Sequence, residues 1–172
     1  VSVGKPRLRD IAYSPDGQYL ATLTGEYLEL LDANTYELAS RVHSGNASGL
    51  LYSPDGRWLA LAGGGGAGMG VLDAGSLATV ATLPESGSAG RAGFSPDGKL
   101  LAVAKGDAVV LWDTTAWEVV AELSGDDGPL LRWEVSRDGR AVDRHRAQHV
   151  TSLAFHPDGR TLAVGSVRTT VA

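Results

Sequence analysis

The chain has 172 residues, 43% of them hydrophobic and 20% charged, with a formal net charge of −5. That is long and apolar enough to bury a core, and too acidic for a chain whose main task is gripping a phosphate backbone. The absence of cysteine removes disulfides, thiolate catalysis and Cys-type zinc sites, and no apolar run is long enough to span a bilayer.

The opening VSVGKPRLRD has no apolar stretch of the signal-peptide kind, so a cytoplasmic protein is expected. The first residue is Val and not Met, which leaves a removed leader or tag open. A basic set of 12 Arg and 3 Lys, with abundant Ala and Gly, points to a GC-rich bacterial source.

Taken in order, the predicted elements are short strands. AYS-PDG-QYLATL reads as a hairpin turning at Asp16-Gly17, because Gly accepts positive φ and Asp caps a turn locally. A third run closes in Leu30-Leu31-Asp32, and a fourth covers Tyr36–Val42. The pattern then restarts. LYS-PDG-RWLALA turns at Asp55-Gly56, Val71-Leu72-Asp73 closes the third run, and Leu77–Leu83 is the fourth. GFS-PDG-KLLAVA turns at Asp97-Gly98 and is followed by Leu111-Trp112-Asp113 and Trp117–Leu123. No stretch has a helical period long enough to compete.

A fourth unit opens with Leu130–Ser136 and the turn Asp138-Gly139, but Asp143-Arg144 stand where the other units have small or apolar pairs. A charged pair is costly to bury unpaired in a central strand. His149-Val150 start a fifth unit, LAFH-PDG-RTLAVG, turning at Asp158-Gly159, and VRTTVA resembles the beginning of its third strand. The turn aspartates are separated by 39, 42, 41 and then only 20 residues. An aromatic or apolar column (Tyr13, Tyr52, Phe94, Val135, Phe155) stands three residues before them, and Leu20, Leu59, Leu101, Val142 and Leu162 stand four after.

Four short strands per ~40 residues is the pattern of a propeller blade. The expected fold is all-β, a β-propeller of four-stranded antiparallel blades with about 4–5 blade equivalents, incomplete, in one domain over 1–172. Its units are approximately 8–43, 47–83, 88–124, a truncated 129–146, and 149–172, the last completed by an N-terminal strand from Val1–Val3. The units resemble the WD-repeat (WD40-like) β-propeller family, in the SPDG turns and in "LWD" at Leu111–Asp113. The family's Gly-His before the first strand is absent, the nearest candidates being His43 and Gln148-His149, and Leu31 and Leu72 replace Trp in two units. The buried Asp-His-Ser/Thr-Trp network of many family members therefore cannot be assembled. The SPDG turns also resemble TolB-like periplasmic propellers.

The short interval has three readings: a fragment, a missing segment near 143–148, or hairpins 130–146 and 149–166 joined in one four-stranded blade that would make Leu153 and Phe155 part of a third strand. The incomplete propeller is preferred. Its open edges invite a homo-oligomer or docking to the rest of a larger protein.

No cluster of side chains stands out as catalytic. Ser14, Ser53, Ser95 and Ser136 precede turn residues and serve the turns, as do Asp16, Gly17, Asp55, Gly56, Asp97, Gly98, Asp138, Gly139, Asp158 and Gly159. The glycine run Gly63–Gly70 has no Lys or helix after it and reads as an inter-strand loop, not a phosphate cradle. Asp143, His145 and His149 could ligate a divalent ion but read as a solvated linker. Asp126-Asp127 lie in a Gly/Pro-flanked loop. Trp112 and the aromatic column Tyr13, Tyr52, Phe94 and Phe155 are expected in the core, with Trp58, Trp117 and Trp133 as core or interface.

What the resemblance implies is a non-enzymatic scaffold or sensor module that binds protein partners; no cofactor and no metal are expected, and charge and hydropathy argue against nucleic acid and membrane. The face opposite the PDG turns would carry the partner-binding residues His43, Arg91, Lys105, Asp107, Asp126 and Asp127. The alternatives are a metal-assisted hydrolase of the lactonase type and a TolB-like periplasmic interaction propeller.

Overall fold

A computed structural model describes residues 7–63, 68–84, 91–106, 108–124, 130–134 and 150–166. They are all-β, and no α-helix occurs among them. The chain forms two compact units, Val1–Ala89 and Gly90–Ala172.

The first unit holds two four-stranded antiparallel sheets. One is β1 (Asp10–Tyr13), β2 (Tyr19–Leu23), β3 (Tyr27–Asp32) and β4 (Leu38–His43), in that spatial order. The other is β5 (Ala47–Tyr52), β6 (Trp58–Gly63), β7 (Met69–Asp73) and β8 (Thr79–Leu83). The second unit has a third such sheet, β9 (Ala92–Phe94), β10 (Leu100–Lys105), β11 (Ala108–Asp113) and β12 (Val119–Ser124). Its other sheet has three strands, β13 (Leu130–Glu134), β14 (Val150–Phe155) and β15 (Thr161–Ser166), in the order β13-β15-β14.

That last sheet corrects the expectation of a separate truncated unit beginning at 129. β13 does not open a sheet of its own. It pairs antiparallel with β15, from Leu130 opposite Gly165 to Glu134 opposite Thr161, in the place that a third strand takes elsewhere. Leu153 and Phe155 sit in β14, the first-strand place, and not in a third strand. The physical reason is the second edge of β15, whose backbone groups need partners that LLRWE supplies. The remainder of the expected fourth unit, with Val135, Ser136, Asp138, Gly139, Val142 and the Asp143-Arg144 pair, lies outside the described residues, as does the Val1–Val3 strand.

Each PDG turn is locked by its own side chains. Ser14 Oγ donates to Asp16 Oδ1 (2.6 Å) and accepts from the Tyr19 amide (2.9 Å), while Asp16 Oδ1 also accepts from the Gln18 amide (3.0 Å). The same three bonds recur around Ser53 and Asp55, and around Ser95 and Asp97. Gly17, Gly56, Gly98 and Gly159 all take positive φ, from 69° to 73°, a conformation glycine adopts without strain. The fourth turn substitutes His156, whose Nδ1 accepts from the Asp158 amide at 3.2 Å.

A second device follows β3, β7 and β11. Asp32 Oδ1 accepts from the Asn34 and Thr35 amides, Asp73 Oδ1 from Ser76, and Asp113 Oδ1 from Thr115 and Ala116. The chain then reverses through Tyr36, Leu77 and Trp117, three non-glycine residues at φ 56–59°. Such a conformation costs on the order of 1–2 kcal/mol per residue.

Strand alternation gives each sheet two faces. In the first unit Ala21, Leu23, Leu28 and Leu30 pack with Leu50, Leu59, Leu61, Leu72 and Leu77. In the second unit Ala102, Ala104, Val109 and Leu111 pack with Val150, Leu162 and Val164, and Leu153 and Phe155 lie against them. Trp58 is buried at 6% exposure and Phe94 at 9%, and Tyr52, Trp112, Trp117 and Phe155 are half-buried. Tyr13 departs from the expected core column. It is 55% exposed at the end of β1.

Ser53 is fully buried and holds two of these turn bonds. Ser53→Ala leaves the Trp58 amide without that acceptor and is expected to cost about 1–3 kcal/mol in denaturant unfolding, with the fold retained.

Candidate functional site

The end of the first unit away from the PDG turns is built from two tight connections. Thr24 closes the link between β2 and β3, its hydroxyl accepting from the Tyr27 amide and its amide donating to the Tyr27 carbonyl. The link from β4 to β5 is held by the Ser44 amide on the Glu26 carbonyl at 2.8 Å and passes through Gly45 at φ 58°.

On this frame β3 and β4 set two cross-strand pairs side by side, Tyr27 opposite His43 and Glu29 opposite Arg41. The His43 ring meets the Tyr27 ring edge-on at 5.6 Å, and its Nδ1 accepts from the Gly45 amide at 3.2 Å. The Arg41 guanidinium lies 4.6 Å from the Tyr27 ring centre and 3.6 Å from Glu29 Oε1. His43 and Arg41 are exposed, and Tyr27 is half-buried beneath them. Arg9 and Asp10 tie β1 to β5 at the same end. Arg9 Nη1 donates to the Ala47 carbonyl at 2.7 Å, and Asp10 accepts from the Leu50 amide at 2.9 Å. The result is a cation and an imidazole held against an aromatic ring, with Glu29 beside the cation.

In the second unit Lys105 is exposed at the end of β10, and Arg91 is half-buried just before β9. The Gly106 carbonyl beside Lys105 accepts from the Val150 amide at 3.1 Å. Asp107, Asp126 and Asp127 lie outside the described residues, as do Asp143, His145 and His149. Among the described residues no three His, Asp or Glu side chains gather as a metal site would require.

Of the glycine run, 64–67 are outside the described residues. Gly63 donates to the Gly68 carbonyl at 3.2 Å, and Gly68 takes φ 80° with its missing Cβ aimed 2.5 Å from the Leu83 carbonyl oxygen. These ends join β6 to β7, strand to strand, without the helix that phosphate cradling uses.

Five aspartates of the turns are held below the usual carboxylate range. The Ser14 hydroxyl and Gln18 amide hold Asp16 below the usual carboxylate range. The Thr35 and Asn34 amides do so for Asp32, and the amide and hydroxyl of Ser76 for Asp73. For Asp97 burial works in the opposite direction but is outweighed by the Ser95 hydroxyl and the Lys99 amide. Asp158 is lowered by the Arg160 amide and by His156, whose Nδ1 lies 3.0 Å from its carboxylate. Burial, with the Asp16 charge second, pushes the Tyr52 phenol up to about 12.

The family model of the WD domain, G-beta repeat, matches residues 136–171. The rest of the molecule has the corresponding architecture in solved structures. A hydrazine synthase of Kuenenia stuttgartiensis is similar over 92% of this chain and 55% of its own, with TM-score 0.60 and 20% identity. A eukaryotic initiation factor is similar over 71% and 33%, at TM-score 0.58 and 18% identity. The WD40 repeats of RRP9 are similar over 72% and 40%, at TM-score 0.61 and 15% identity. The chain thus spans about half or less of these chains, and what they share with it is the fold. No curated protein matches by sequence. The fold is that of a WD-repeat β-propeller. No described helix is long and apolar enough to cross a membrane.

Sequence reasoning singled out His43 from its place in a loop. It missed Tyr27, Arg41 and Glu29, because only strand register shows that they meet. The alternation in YLELLD and LASRVH was the available signal.

The lowered acids set a pH dependence. Their folded pKa values lie below the unfolded value of about 4, so their contribution is present above that value and lost as pH falls through the folded ones. Chemical-denaturation midpoints are expected to hold at neutral pH and to drop as pH falls below about 4. Asp16→Asn and Asp73→Asn should each flatten that drop.

Proposed function

We propose that the chain is a cytoplasmic, non-enzymatic protein-interaction module whose partner meets the loop end opposite the PDG turns. His43, Arg91, Lys105, Asp107, Asp126 and Asp127 are the contact residues, and the turn residues Asp16, Gly17, Asp55, Gly56, Asp97, Gly98, Asp138, Gly139, Asp158 and Gly159 are structural. The observation that carries this reading is the Tyr27–Arg41–His43 cluster. It combines a half-buried aromatic with an exposed cation and imidazole on paired strands, so little side-chain freedom is left to lose on binding. Aromatic and arginine anchors of this kind carry a large share of interface energy. Rigid sheets presenting short loops suit that task, and the function lies in the loops and not in the fold itself.

The test is quantitative affinity capture with wild-type protein and two variants of matched stability. Arg41→Ala/His43→Ala, at the loop end, is expected to lose a specific partner by roughly tenfold or more. Gln18→Ala, at the turn end, should retain it. An unchanged set of captured proteins for the double variant would contradict the reading.

A further inference from the structure

The four described PDG turns share a backbone and differ in one side chain. Each reads Pro-Asp-Gly followed by a polar residue, Gln18, Arg57, Lys99 or Arg160. In each the glycine takes φ 69–73°. Its amide donates to the carbonyl three residues earlier, that of Ser14, Ser53, Ser95 or His156, at 2.8–2.9 Å.

Asp-Gly is also the pair most open to a reaction of the chain on itself, because glycine has no side chain to shield its amide nitrogen. That nitrogen attacks the aspartate Cγ. A C–N bond forms, and a carboxyl oxygen leaves with two protons as water. The succinimide ring then takes up water again, at one carbonyl to restore aspartate, or at the other to give isoaspartate, whose main chain runs through Cγ. The ring closes only when the carboxyl group turns away from its partners.

Three turns oppose that movement. Asp16, Asp55 and Asp97 accept from the hydroxyls of Ser14, Ser53 and Ser95 at 2.6, 2.5 and 2.7 Å. These serines are buried, and each also holds the amide of Tyr19, Trp58 or Leu100. Turning the aspartate breaks a charge-assisted bond. In the fourth turn His156 stands in the place of the serine. Its Nδ1 lies 3.2 Å from the Asp158 amide and 3.0 Å from the Asp158 carboxylate. One nitrogen cannot accept from the amide and donate to the carboxylate at once. What remains is the Arg160 amide on Asp158 Oδ1 at 2.8 Å, the counterpart of a bond present in the other three, with the Thr161 amide beside it.

We infer that Asp158-Gly159 is a modification site, where aspartate converts to isoaspartate faster than at the three serine-locked turns. The product adds one main-chain carbon to the turn joining β14 and β15, the hairpin on which β13 pairs. Asp127-Gly128 and Asp138-Gly139 lie outside the described residues.

The test is to incubate the wild-type protein at neutral pH, digest samples over time, and map isoaspartate by mass spectrometry with fragmentation that separates it from aspartate. It should accumulate at 158 roughly tenfold or more faster than at 16, 55 and 97, as the missing bond to a charged group implies. In denaturant the four should react at similar rates, since their sequence neighbours are alike. His156→Ser should slow Asp158 to the rate of the other three, and Ser14→Ala should speed Asp16 while leaving Asp158 unchanged. If circular dichroism shows that His156→Ser is unfolded, Ser14→Ala and the wild-type rates decide. Equal rates at the four turns of the folded protein overturn the inference. So does an Asp158 that stays faster by the same factor in denaturant, or a folded His156→Ser variant with an unchanged rate at Asp158.

Discussion

The structure depends on a small side-chain lock, the hydroxyl of a serine and the carboxylate of an aspartate two residues later, both bonded to backbone amides inside one turn. Because side chains alternate along a strand, a slip of one residue would move every large side chain to the opposite face. The turn at Ser14–Gln18 prevents that slip between β1 and β2, and its copies at Ser53 and Ser95 do the same. Register then decides which residues face the core. Burial of leucines such as Leu59 and Leu162, on the order of 1.5–3 kcal/mol each, rewards that register.

The strain in the second set of turns shows what the locked register demands. Tyr36, Leu77 and Trp117 hold a conformation that glycine would enter more easily. Leu77 shows the compensation plainly, because its side chain is buried in the first unit's core. At that place a glycine would relieve the backbone and leave a hole. Asp32, Asp73 and Asp113 hold the preceding residues with side-chain acceptors, so the reversal is over-determined locally.

Much of this was legible in the sequence because it is local. The PDG turns, the LLD, VLD and LWD closures and the apolar alternation lie within a few residues of one another, and they give the strands and the order of the first three sheets. What was not legible is what depends on distant pairing. Arg41 and Tyr27 meet only through the register of β3 and β4. Tyr13 belongs to the same column as Phe94, yet only the packing of whole sheets shows that one is exposed and the other buried. The short interval between Asp138 and Asp158 looked like a broken repeat. In the folded chain residues 130–134 serve the same sheet as 150–166, from the far side of β15. A strand order that runs against chain order cannot be read from spacing alone.

That non-sequential sheet is the central claim, and the cysteine-free sequence offers a direct measurement of it. Arg132 and Ala163 are opposite one another across β13 and β15. Antiparallel partners of this kind place their Cβ atoms about 4.5–5.5 Å apart, near enough for a disulfide after a small adjustment. The chain carrying Arg132→Cys and Ala163→Cys, oxidised at low concentration and mapped by mass spectrometry after proteolysis, is predicted to contain one intramolecular disulfide joining the two positions. Free thiols under the same conditions, or disulfides only between chains, would contradict the pairing and return residues 130–134 to a separate repeat.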